Sequence, residues 1–283
     1  MTKSKIAEVF GIPIPPGEPV KWLDVVKRQQ CPFLGRTCLK NRKSQPSIAI
    51  GTCTVTYGKD AKSVIICPHR LLERKQIFTD CVHLLTMHEP GNELHLVAEL
   101  TIPGGSVDYV LASAKCGKVV DFVGVELQTL DTTGTIWPER QRLLFQCGVS
   151  VSAKEMKSDK GFGMNWKMTA KTILVQLHHK IATFEAVAKH LVLVLQDHML
   201  DYMKANFDFS PVAAARLGDP MQFHAYELVR SGGKLRLQLR TRLSTDTAGI
   251  ATCLGLKATA NVKLEALLAL IQAKVSEETL LTL

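Results

Sequence analysis

Apolar positions between residues 94 and 129 come in short β-rich runs separated by turn formers. Leu94, Leu96, Val97 and Leu100 mark the first run, Val107, Val110 and Leu111 the second, and Val119, Val120, Phe122, Val123 and Val125 the third. Pro103-Gly104-Gly105 and Lys115-Cys116-Gly117-Lys118 stand between them, so the pattern predicts strands joined by turns. Residues 165–207 switch to helical spacing, with Ile173, Leu174, Leu177 and Ile181, then Val187, Leu191, Val194 and Leu195, and predict two helices whose broad apolar face suits a dimer interface. Strand character returns at 228–229 and over 234–243, and residues 262–275 predict a closing helix burying Val262, Leu264, Leu267, Leu268, Ile271 and Val275. At the other end, residues 6–10 read as a short helix stopped by Gly11, and Pro13, Pro15, Pro16 and Pro19 enforce an extended linker.

The pattern is mixed α/β without internal repeats, and 46% apolar residues in 283 suffice for a proper core. No run approaches the roughly 20 apolar residues that span a bilayer, and no apolar leader follows Met1, which predicts a cytoplasmic protein with no membrane partner. Residues 21–75 differ from the rest: basic residues and turn formers surround four cysteines, with too few apolar positions for a separate core. The expected division is a helix and proline-rich linker over 1–30, a cysteine module over 31–75, and the main body over 76–283.

Charge sharpens this division. Of a net +9, residues 1–80 carry +8, with 14 Lys or Arg against 6 Asp or Glu. A positive field so localised suggests a polyanionic partner, nucleic acid ahead of a membrane surface.

Cys31, Cys38, Cys53 and Cys67 have 6, 14 and 13 residues between neighbours. Four thiolates bind zinc or iron tetrahedrally and can fold a segment that lacks a core. The remaining four cysteines are scattered and read as buried thiols. Arg36, Lys40, Arg42 and Lys43 lie among the metal-ligand candidates, where a pinned loop would present them to phosphates.

Asp108, Glu126 and Gln128, with Glu93 upstream, are the candidates for chemistry. Glu126 and Gln128 point to one face of a strand, and a hairpin pairing of 107–112 with 119–129 brings Asp108 to the same edge. Two carboxylates there make a hard-oxygen site for Mg²⁺, the arrangement of the PD-(D/E)xK nucleases. Gln128 replaces the usual lysine; an amide positions water but is no base at neutral pH.

These residues sit in a wider pattern: Ile6-Ala7-Glu8-Val9-Phe10-Gly11, Cys31-Pro32-Phe33 with Cys38, Cys53-Thr54-Val55, Cys67-Pro68, Glu93-Leu94, Val107-Asp108-Tyr109-Val110-Leu111-Ala112, and Gly124-Val125-Glu126-Leu127-Gln128-Thr129-Leu130-Asp131. Over residues 5–135 the chain resembles the NotI-like type II restriction endonucleases. The resemblance implies a PD-(D/E)xK core, a mixed sheet flanked by helices, behind a small four-cysteine metal module. It implies a bacterial homodimer that cuts a palindromic site in double-stranded DNA with Mg²⁺, alongside a cognate DNA methyltransferase acting on the same site. It also implies a rubredoxin-like iron on the four cysteines and an active-site set of Glu93, Asp108, Glu126 and Gln128.

Other features are weaker. Residues 234–243 alternate strictly, which puts Arg236 and Arg240 on a polar face able to follow DNA or to stay solvated. Lys154, Lys157 and Lys160 lie in a loop, and Gln176 and Lys180 share a helix face that could meet the active site. His178-His179 lacks the hairpin of an HNH nuclease. Two rivals remain: a non-catalytic, metal-stapled DNA-binding protein, and a structure-selective nuclease.

Overall fold

The computed structural model describes residues 4–158 and 161–256. Lys160 and the helix expected over 262–275 lie outside them.

The chain begins on a strand, not on the expected helix. β1 (Ile6–Val9) turns at Phe10-Gly11 into β2 (Ile12–Pro13), so the proline-rich stretch begins as sheet. A five-residue segment cannot repay helix nucleation, whereas a strand can bury all four residues of β1 against its neighbours. After α1 (Trp22–Arg28), β3 (Thr52–Tyr57) and β4 (Lys62–Ile65) complete a four-stranded sheet in the order β2-β1-β3-β4.

The main sheet has seven strands: β5 (Glu93–Ile102), β6 (Gly105–Lys115), β7 (Lys118–Gln128), β8 (His190–Gln196), β9 (Ala213–Ala214), β10 (Met221–Ser231) and β11 (Lys234–Thr245). Their order is β9-β11-β10-β8-β7-β6-β5. β7, β8 and β10 run parallel, and the outer pairs are antiparallel. Parallel neighbours need crossovers: α2 (Trp137–Gln146) and α3 (Trp166–Ala186) connect β7 to β8, and α4 (Asp197–Asn206) connects β8 to β10. α5 (Thr247–Cys253) follows β11.

β8 corrects the second predicted helix. Its Leu and Val run is buried at every position, as a strand covered on both faces must be, and the helical spacing of Leu191, Val194 and Leu195 is incidental. The apolar face of α3 is also not free for a dimer partner. Ile173, Leu174, Leu177, Ile181 and Phe184 pack beneath the sheet with Val107, Val110, Leu191 and Leu193. Among the described residues no helix is long and apolar enough to cross a membrane.

The cysteine-bearing segment leans on this same core. Cys31 and Cys38 pack in the α3-side cluster, while Ile65, Leu71 and Leu72 cover the opposite face of the sheet with Val123, Val125, Val192 and Val194. What the segment lacks in apolar residues of its own it takes from the main sheet.

On that second face His224 of β10 is fully buried, 3.8 Å from Cys81 Sγ through Nδ1, with Nε2 unpartnered. Burial, then the charges of Arg242 and His83, hold its pKa down to about 3. The folded state thus refuses a proton that the unfolded chain accepts near pH 6.5. Stability held above pH 6.5 is therefore lost on acidification toward pH 3, by up to about 1.4 kcal/mol per pH unit. Urea denaturation of wild type and His224→Gln between pH 7 and pH 4 checks this: the variant's slope should be shallower by that amount, and equal slopes would refute the assignment.

Candidate active site

The β6–β7 hairpin is in register from Lys115 opposite Lys118 to Tyr109 opposite Val125. One residue further, the Asp108 side chain takes over from the ladder, and its Oδ2 accepts the Leu127 N–H at 2.8 Å. This contact fixes Asp108 beside the end of β7. Glu126 and Gln128 project there on one face, as their spacing requires, while Leu127 packs on the other side with the second core cluster. The Gln128 amide donates to the Thr129 carbonyl at 2.6 Å.

Glu126 is only 4% exposed, and Lys180 of α3, at 6%, places Nζ 2.6 Å from its Oε1. Burial first, with a smaller contribution from the nearby Asp108 charge, raises the Glu126 pKa to about 7 against the partial opposition of Lys180. A cavity of 410 Å³ opens onto Asp108, Glu126, Gln128, Gln176, His179 and Lys180. The helix face of Gln176 and Lys180 thus meets the carboxylates.

Two glycines let α3 approach so closely. A Cβ on Gly104, in the β5–β6 turn, would collide with the His179 carbonyl oxygen, and one on Gly124 of β7 would collide with the Phe184 ring.

Glu93 is not brought to this site. The β5–β6 register sets it opposite Ala114, six positions from Asp108 and roughly 20 Å along the strand. Its exposed carboxylate faces His95 at 3.3 Å. The residue across from Asp108 is Glu99, between the Ala98–Tyr109 and Leu100–Val107 pairs. Glu99 has φ +54°, a left-handed conformation that costs an ordinary residue about 1 kcal/mol and gathers at functional sites. Its charge and that of Asp108 both reach Tyr109, whose pKa is raised first by burial and then by these two carboxylates. Counting the hairpin back from the Pro103-Gly104 turn would have found it.

Cys31, Cys38, Cys53 and Cys67 are all buried, and none of them forms a disulfide. Cys67 lies within electrostatic range of Cys31 and Cys38, and Cys53 within range of Cys67 and Cys31, so the four stand near one another. Backbone N–H groups of Phe33 and Leu34 bond Cys31, that of His69 bonds Cys67 and that of Gly11 bonds Cys53. Burial nevertheless keeps the Cys31, Cys53 and Cys67 thiols above their ordinary pKa. Among the described residues, no group of three or more His, Cys, Asp or Glu side chains has metal-holding geometry.

The predicted DNA contacts separate into two sets. Lys40, Arg42 and Lys43 line a 680 Å³ cavity with Trp137, Lys154 and Lys157. There Arg42 lies 4.5 Å over the Trp137 ring and bonds Glu155 at 2.5 Å, and Lys40 donates to the Ile66 carbonyl at 2.8 Å. Arg36 is exposed on a short ribbon outside that cavity. Arg236 and Arg240 lie on β11 and, like Arg42, are answered by this chain's own acids, Arg236 by Glu73 at 2.9 Å and Arg240 by Asp197 at 2.7 Å. The basic face of β11 is therefore largely neutralised from within.

Set beside known proteins by sequence, the chain is matched by no protein-family model and no curated protein.

Proposed function

We propose that the chain is a Mg²⁺-dependent endonuclease of the type II restriction class that hydrolyses DNA phosphodiester bonds at a palindromic site. The observation that carries the reading is the pairing of Asp108 with Glu126, both opening with Gln128 onto one 410 Å³ cavity. Burial first, and then repulsion from the Asp108 charge, raise the Glu126 pKa, and a divalent cation is what would offset both costs. Asp108 and Glu126 would hold the Mg²⁺, which when bound supplies a polarised water and neutralises charge building on the phosphoryl group. Gln128 orients water without taking its proton. Leu127 locks the hairpin end, so the carboxylate geometry survives in the free protein.

Cutting both strands with one site per chain needs two copies. The edge strand β5, with Leu94, Leu96, Val97 and Leu100 in solvent, offers the second copy an apolar surface in place of the buried face of α3. Lys43, Lys154 and Lys157, which line the 680 Å³ cavity, support contact with the DNA backbone.

Digestion of bacterial genomic DNA, followed by sequencing of the new ends, tests the reading. Ends that share one motif, and that vanish with EDTA or with Asp108→Ala, are expected. Intact native and unmethylated DNA would favour a binding protein, and ends without a motif a structure-selective nuclease.

For the four cysteines we propose iron or zinc. The buried thiols with converging N–H donors have the donor chemistry of such a site. Elemental analysis of purified protein should give about one Fe or Zn per chain, and Cys53→Ser should lose it. A metal-free wild type, folded and equally stable, would reduce the cysteines to packed thiols.

A further inference from the structure

Lys180 is the least explained buried charge near the site. Its ammonium sits 2.6 Å from Glu126 with both side chains almost wholly covered, so desolvation weighs on both. Packing alone would be served by methionine, which matches its length without that cost. The lysine has also been given room at some expense: the β5–β6 turn crosses α3 on two glycines, and a Cβ on Gly105 would stand 3.2 Å from Lys180 Cε. Strand position 128, two beyond Glu126 on the same face, carries an uncharged amide. Among the described residues lining the cavity, the Lys or Arg side chain beside the carboxylates thus comes from the helix.

We infer that Lys180 is a catalytic residue, donating from α3 to the non-bridging oxygens of the scissile phosphate. Of its three N–H donors one is spent on Glu126, which aims the ammonium and leaves two for the substrate. Lys180 gives up no proton in this role; it neutralises charge that grows as water attacks and the leaving oxygen departs. The inference rests on the nuclease reading above.

The test compares wild type, Lys180→Met, Gln128→Lys and the double variant in three measurements: single-turnover cleavage with Mg²⁺, DNA affinity with Ca²⁺, and thermal unfolding. Lys180→Met should lose about 10²-fold or more in cleavage, with affinity held within about threefold. Moving the cation to the strand, in the double variant, should recover at least about tenfold, which no structural role of Lys180 would produce. If Lys180→Met does not fold, Lys180→Gln, which can still donate to Glu126, is read the same way. A cleaving wild type with an equally active Lys180→Met overturns the role of Lys180 alone, as does a folded double variant with no recovery. A wild type that cuts no DNA overturns the nuclease reading and this role with it.

Discussion

Asparagine in place of Asp108 should lower single-turnover DNA cleavage by about 10³-fold or more, with the fold unchanged. The substitution is nearly silent structurally, because its amide oxygen can accept the Leu127 N–H as Oδ2 does now at 2.8 Å. What disappears is one negative charge at the mouth of the cavity. A metal held by two carboxylates contributes several kcal/mol to stabilising a phosphoryl transition state, and each 1.4 kcal/mol is about tenfold in rate. A second signature travels with the first. Asp108 is one of the causes raising the Glu126 pKa to about 7, so carboxyl NMR of the asparagine variant should find Glu126 titrating lower. A variant that keeps more than about a tenth of the wild-type rate would remove Asp108 from the chemistry. An unmoved Glu126 titration would show that the two carboxylates do not share a site.

How far this site could be read from sequence depends on what each residue's position rests on. Asp108, Glu126 and Gln128 were legible because strand alternation and one hairpin suffice to gather them, and the turn at Cys116-Gly117 fixes that hairpin. The Glu93 motif carries no register of its own, and the turn at Pro103-Gly104 sets Glu99, not Glu93, across from Asp108. Lys180 was visible as a helix-face cation, but its burial depends on how closely α3 crosses two glycines, which is a tertiary matter. The same holds for residues 190–196. Leu and Val at every position from 191 to 195 satisfy a helix period and a doubly buried strand alike, and only the parallel neighbours β7 and β10 decide between them. The alternating cations of β11 specify a strand but not its surface, because Glu73 and Asp197, which pair with Arg236 and Arg240, come from distant parts of the chain.

Glu73 belongs to the contact that binds the cysteine-bearing segment to the main sheet, and breaking this contact should have a large effect on stability. Arg70 has no solvent exposure. Its guanidinium donates to Glu8 of β1 at 2.7 Å, to Glu73 at 3.0 Å and to the Leu235 carbonyl of β11 at 2.9 Å, and it lies 4.7 Å from the Phe33 ring. One side chain thus joins both sheets and the loop after Cys31. Arg70→Met keeps much of the volume but strands Glu8, whose other polar partner is Thr54 at 2.9 Å, as a buried carboxylate without a cation. Breaking a buried pair from one side costs about 3–5 kcal/mol, well beyond the usual cost of losing a surface ion pair. Burial already pushes the Glu8 carboxyl up, and Arg70 is the chief opposing influence. Without it the folded state holds a proton on Glu8 that the unfolded chain releases, so stability is lost as pH rises. The deficit of Arg70→Met in urea denaturation should therefore be larger at pH 8 than at pH 5, and adding Glu8→Gln should recover part of it at pH 8 only. A deficit below about 1 kcal/mol, or one that does not depend on pH, would mean that the two sheets are held together by apolar packing and not by this arginine.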